Sequence, residues 1–142
     1  MKKIPIAIIL LLFIATSFVA CGTADSALSD TQWLLISYGE QGELNSTIEG
    51  TVITALFNDT DNSVNGSAGC NTYFAQYDTD GNGLSVYEMA YTEMYYISPE
   101  GVMEQEQIFL ALLSSAESHE ASDTTLVIFC SGGQQLHFAV AT

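Results

Sequence analysis

The chain has 142 residues, with 17 Asp and Glu against two Lys and no Arg, and a formal net charge of −15. Both lysines, Lys2 and Lys3, sit at the N-terminus, so the chain from Cys21 onward carries −17. Nucleic acid and anionic lipid surfaces are excluded as partners of such a chain, because both need Lys or Arg to neutralise phosphate. No Lys or Arg is present after Lys3 to pair with a carboxylate, so each must be solvated, hydrogen-bonded, protonated or cation-bound.

Residues 1–20 read as a targeting segment: Lys2 and Lys3, then an apolar run from Ile4 to Phe13, then small residues up to Ala20 and Cys21. The apolar run is too short for a membrane-spanning helix. Phe18-Val19-Ala20-Cys21 resembles a lipobox, with Phe18 where Leu is usual. Cys21 is then the acylated first residue of the mature chain, and 21–27 a flexible tether. Residues 28–142 form one domain, long enough to fold alone. Its two further cysteines are Cys70 and Cys130. An exported compartment permits a disulfide between them.

Thr31 to Ser37 reads as the first strand, with Trp33 and Leu35 on one face, and Tyr38 to Glu49 as a loop. In Thr51 to Phe57, Ile53, Ala55 and Phe57 share a strand face. Asn58 to Asn65 has turn chemistry. The stretch Gly66-Ser67-Ala68-Gly69-Cys70-Asn71-Thr72-Tyr73 follows, a structural corner entering a strand that runs to Tyr77. Asp78 to Gly83 reads as a turn, Leu84 to Met89 as a return strand and Ala90 to Ile97 as a further, tyrosine-rich strand.

Ser98-Pro99-Glu100 has the pattern of a helix start, with Ser98 as N-cap. The helix then runs over about 99–116, with Val102, Phe109, Leu112, Leu113 and Ala116 on one side. Glu106 falls on that side and Glu104 on the other. Ser118 to Asp123 is polar. Thr124 to Cys130 is a strand, Ser131-Gly132-Gly133 a hairpin turn, and Gln134 to Val140 a strand with Leu136, Phe138 and Val140 inward. The fold class is α+β: an antiparallel, strongly twisted sheet or partial barrel of about seven or eight strands, with one helix before the last hairpin.

Glu106 is the most informative polar residue. A carboxylate on the apolar side of a helix needs N–H or O–H donors, or else protonates. The Gly69-Cys70-Asn71 corner is the expected donor, with a solvated Glu106 as the alternative. Asp78-Thr79-Asp80-Gly81-Asn82-Gly83 has the first half of a calcium loop, but position 12 is Met89 and the flanks alternate as strands. A hairpin turn fits better, with weak calcium binding through Asp78, Asp80 and Asn82 as the alternative. Asn45, Asn58 and Asn65 head N-glycosylation sequons in predicted loops. His119 and His137 make no zinc pattern. No nucleophile–base pair and no cofactor motif is readable.

Trp33, the Gly66-x-x-Gly69-Cys70-Asn71-x-Tyr73 signature, Tyr77, Thr92-Glu93-Met94, the helix from Met103 to Leu113 and the closing hairpin together resemble the META domain (HslJ-like, DUF306) over about 28–140. The resemblance implies a small α+β domain, often exported or lipid-anchored, associated with envelope stress and without established enzymatic activity. Gly69, Cys70, Asn71 and Tyr73 are then structural-motif residues. Family members often carry a Cys shortly after the Thr-x-Met element. Tyr95 and Tyr96 stand there here, so any disulfide of Cys70 has to use Cys130. The resulting expectation is a lipid-anchored, non-enzymatic module on the outer face of the cell membrane, or of the outer membrane if the source has one. It would contact an envelope protein. The alternative is an acidic calcium-binding surface module.

Overall fold

The computed structural model describes residues 27–142. The targeting segment, Cys21 and residues 21–26 of the tether lie outside the described residues. In chain order the elements are β1 (Gln32–Glu40), β2 (Glu43–Ser46), β3 (Thr54–Asn58), β4 (Ser63–Ser67), β5 (Thr72–Asp80), β6 (Gly83–Tyr91), α1 (Val102–Ser114), β7 (Ala116–Ala121), β8 (Thr125–Cys130) and β9 (Gln134–Val140).

The strands β3 to β9 pair in sequence order, and β1 joins β3 to β9, so eight antiparallel strands close a barrel. Antiparallel neighbours need only short turns, which is why the spatial order follows the chain. The closing seam pairs Trp33 with Val140 and runs on to Glu40 with Gln134. On its other side β1 is shared: Gln32 to Leu34 pair with β3, and Ser37 to Glu40 pair with β2. An eight-stranded barrel is just wide enough for its inward side chains to fill. Trp33, Leu35, Phe57, Leu126, Ile128 and Leu136 do so here, all fully buried. The pairing round the barrel is thinnest between β6 and β7, where Gly83 faces Ser118 and the His119 N–H donates to the Asn82 carbonyl at 2.8 Å. Helix α1 packs against β6, β8 and β9. It brings Phe109 and Leu113 into the same core.

Several expectations change. The polar stretch 118–123 is largely strand β7, because the exposed backbone of β8 pairs with it from Ala116 to Ala121. The Asn58–Asn65 turn is shorter than expected, and the glycine stretch begins as strand β4 rather than as a corner. Gly66 explains the fit: a Cβ there would lie 2.2 Å from the Thr54 carbonyl oxygen, so only glycine lets β4 lie against β3 at that point. Asp78 and Asp80 belong to β5, and the turn is confined to Gly81 and Asn82. The expected loop 38–49 contains the end of β1 and all of β2.

The tyrosine-rich run 92–97 is not a strand; β6 ends at Tyr91, paired with Tyr73. The helix starts later than expected and is not capped by Ser98. The Ser98–Pro99 peptide is cis, and Gly101 is the N-cap at φ 83° and ψ 0°. The Val102 N–H donates to the Pro99 carbonyl at 3.2 Å, so Pro99 to Val102 form a turn of type II before the first helical residue.

Candidate functional site: a carboxylate clamp and the segment it carries

The chain between β4 and β5 turns sharply at Ala68 to Asn71, where Gly69 takes φ 114°. That turn points two successive backbone N–H groups toward α1. Glu106, with no exposed surface, receives them: the Cys70 N–H at 3.1 Å and the Asn71 N–H at 2.6 Å, both on Oε2. Its Oε1 accepts from the Asn71 side-chain Nδ2 at 2.6 Å. Three donors on one buried carboxylate offset the cost of taking it out of water. The arrangement ties α1 to the β4–β5 corner, a contact between residues 35 and 36 positions apart in sequence.

Asn71 passes the connection on. Its Oδ1 accepts from the Thr92 hydroxyl at 2.8 Å and from the Met94 N–H at 2.7 Å. Its Nδ2 also donates to the Met94 carbonyl at 3.1 Å. One asparagine side chain therefore holds the backbone of Met94 by both its N–H and its C=O, as a neighbouring strand would. The segment after β6 is fixed by this amide where its ladder ends. Gln105, adjacent to Glu106 and equally buried, makes a second tie: its Oε1 accepts from the Ile48 N–H at 2.7 Å, and its Nε2 donates to the Thr51 hydroxyl at 3.0 Å. Sequence reasoning missed Gln105. The available signal was its place beside Glu106, one step round the helix from the apolar stripe.

Tyr73 enters the core next to the corner. Its hydroxyl donates to the Thr54 carbonyl at 2.8 Å and its ring meets Phe109 edge-on at a centroid distance of 5.5 Å. Burial pushes its phenol well above the ordinary tyrosine range. Cys70 and Cys130 are both free and buried, so the disulfide open to them is not formed. Cys70 Sγ faces the Met94 carbonyl at 3.5 Å, whereas Cys130 Sγ faces the Ile128 carbonyl at 3.9 Å. Burial, with the Glu106 charge second, pushes the Cys70 thiol up. Burial raises Cys130 to about 11. Neither is a thiolate near neutral pH, the form a cysteine nucleophile needs.

The other candidates lie elsewhere. Asp78 and Asp80 are on the outer face of β5, and Asn82 is in the tight turn. Same-face strand neighbours lie about 6.5–7 Å apart. The strand pairing keeps Asp78 and Asp80 from wrapping round an ion as a calcium loop does. Among the described residues, no group of three His, Cys, Asp or Glu is placed to hold a metal. The three sequon asparagines are not in loops: Asn45 lies in β2, Asn58 ends β3 and Asn65 lies in β4. Asn65 is half-buried and faces Leu56 on one side and Phe74 on the other. His119 is buried in β7. His137 is half-buried on β9, with Nε2 2.7 Å from Gln135 Oε1.

What the clamp presents is the segment it carries. Tyr91, Met94, Tyr95, Tyr96 and Ile97 are all exposed, Tyr95 by 76% and Ile97 by 83%. Two clefts flank it. One, of about 290 Å³, lies between Tyr91, Glu93 and Gln107; the other, of about 300 Å³, lies between Tyr96, Glu100 and Glu104. Tyr95 and Met103 line both.

The family model of the META domain matches residues 26–142. An NMR structure of a protein from Burkholderia xenovorans is similar, with a TM-score of 0.68 at 23% identity over 84% of this chain and 87% of that one. A crystal structure of a DUF4847 family protein from Bacteroides vulgatus gives a TM-score of 0.58 at 13% identity, over 81% and 95% of the two chains. At these identities the likeness is one of fold. No curated protein matches the chain.

Proposed function

Because this chain belongs to the META domain family, we propose that it is a non-enzymatic interaction module of the cell envelope, exported and held by a lipid on Cys21 at the outer face of the cell membrane, or at the outer membrane if the source has one. The observation that carries this reading is the exposed tyrosine-rich segment 91–97. Its large side chains, Tyr91, Met94, Tyr95, Tyr96 and Ile97, are apolar and accessible, yet Asn71 fixes its backbone at Met94. A contiguous apolar patch rimmed by polar groups is the usual mark of a contact surface. Fixing it in advance lowers the ordering cost of association. The clamp's own polar groups are committed to one another, which favours a structural role over acid–base chemistry. The extended placement of Asp78 and Asp80 favours the contact reading over a calcium site.

The test uses the full chain, expressed in a host that exports and acylates lipoproteins. A photo-crosslinking residue replaces Tyr95, with Ser85 on β6 as the control position. The expected result is a crosslinked polypeptide from position 95 and not from 85, on a protein whose intact mass starts at Cys21 plus acyl chains. Equal crosslinking at both positions overturns the contact surface. A mass without lipid overturns the anchor.

A further inference from the structure

We infer that the two clefts beside Tyr95 take a basic, extended peptide segment of a partner protein, with Lys or Arg side chains laid against tyrosine rings and paired with Glu93, Glu100 and Glu104. The inference rests on the interaction-module reading and adds the chemistry of the partner.

Three observations carry it. First, each cleft joins an exposed tyrosine to exposed carboxylates: Tyr91 with Glu93 in one, Tyr96 with Glu100 and Glu104 in the other. A cation over a tyrosine face gains from the ring's negative face as well as from a nearby carboxylate. Second, no Lys or Arg lies among the described residues to pair with these carboxylates, the chain's two lysines being Lys2 and Lys3. A purely apolar partner would strip water from three acids without compensation, and a second copy would bring the same excess of negative charge. A basic partner alone among these gains from both the rings and the acids. Third, the clefts are small, near the lower end of ligand sites, which suits single side chains better than a small-molecule ligand. They share Tyr95 and Met103, so neighbouring side chains of one extended segment can fill both. Met103 adds an adaptable thioether wall.

The probe is a fluorescein-labelled hexapeptide of alternating arginine and leucine, titrated into the full chain in detergent at about 150 mM salt, where long-range attraction is screened. Its control is the same peptide with glutamine for arginine. The expected result is saturable binding of the arginine peptide, with amide shifts confined to residues 91–107. Tyr95→Ala weakens it about fivefold to tenfold. The pair Glu100→Gln and Glu104→Gln weakens it by a similar factor, whereas Glu117→Gln with Glu120→Gln on β7 leaves it unchanged. All four glutamates are exposed, so the variants keep the wild-type circular dichroism. Equal loss from the β7 pair would show attraction to general negative charge and overturn the inference. Equal binding of the glutamine peptide would also overturn it, while leaving the contact-surface reading intact. Absence of binding by either peptide overturns the basic-segment chemistry, and the Tyr95 crosslink then decides separately whether the surface has a partner at all.

Discussion

Asn71 and Glu106 are joined twice, by the Asn71 backbone N–H and by its side-chain Nδ2, each at 2.6 Å from a different oxygen of the same carboxylate. Both residues are almost completely buried. The pair is a junction between three pieces of chain: the β4–β5 corner, helix α1 and, through the Asn71 amide, the segment 92–94. Its energetic weight comes less from each bond made than from the buried donors that would be left without an acceptor.

Glu106→Gln tests that weight. The glutamine keeps one oxygen and places an amine where the other stood, so at least one of the three donors faces another donor. A buried donor without an acceptor costs about 1–3 kcal/mol. The variant should lose about 2–4 kcal/mol by urea denaturation, and Asn71→Asp, which sets a second carboxylate against Glu106, should lose at least as much. A loss below about 0.5 kcal/mol for both would mean the contact is not a brace.

Gly66→Ala tests the close approach of β3 and β4. A Cβ would stand 2.2 Å from the Thr54 carbonyl oxygen and 2.9 Å from its hydroxyl. That hydroxyl also accepts from the Ser67 N–H at 3.0 Å. The strands have to part, with the Tyr73 hydroxyl bond to the same carbonyl strained in turn. The expected loss is about 3 kcal/mol or more, in the range of severe single substitutions. Gly42→Ala is the comparison, since nothing lies within 4 Å of a Cβ there, although its φ of 95° adds a smaller backbone cost. Equal effects would remove the packing explanation.

The elements with strong alternation were readable from sequence, and those paired by necessity were not. β9 spans Gln134–Val140, the stretch its alternating Leu136 and Phe138 mark out, and β8 lies within one residue of its β-branched run. β7 carries no aliphatic large residue; its strand character comes from the ladder that β8 offers, which no local pattern encodes. The run 92–97 shows the converse. Its tyrosines have high strand propensity, but the ladder with β5 stops at Tyr73, and Asn71 takes the backbone bonds of Met94 that a next strand would take. The acid at Glu106 was legible because a lone carboxylate on an apolar stripe needs donors. Gln105 was harder to read: an uncharged amide beside the stripe can as easily face water, and only its burial creates the need for the Ile48 and Thr51 partners it finds.

The thiols give a direct chemical check. With both buried and free, the native chain should react slowly with a thiol reagent at neutral pH. In urea without reductant, Cys70 and Cys130 should both be labelled at once, in a form of the chain with Cys21→Ser to remove the third cysteine. Labelling in urea only after reduction would mean the two are bonded, and the corner would then be held covalently.

Alkaline pH should weaken the fold through the same burial. Cys130 holds its proton up to about 11, against an ordinary value of 9.0, chiefly because it is buried, with a hydrogen bond to Ser115 pulling the other way. The folded state thus binds this proton more tightly than the unfolded state. Its contribution is complete below pH 9, declines as pH rises toward 11 and is gone above it. A difference of that size corresponds to about 2–3 kcal/mol. Buried Tyr73, also raised, adds a loss of the same sign at higher pH. The urea midpoint of the wild type should therefore fall steadily from pH 9 to 11. Cys130→Ala removes the thiol's share, so its midpoint should start lower, from the lost packing, and fall less steeply across the same interval. Parallel slopes for the two proteins would mean that Cys130 does not control the alkaline limit, leaving Cys70 and Tyr73, both also raised by burial, to be tested next by Cys70→Ala and Tyr73→Phe.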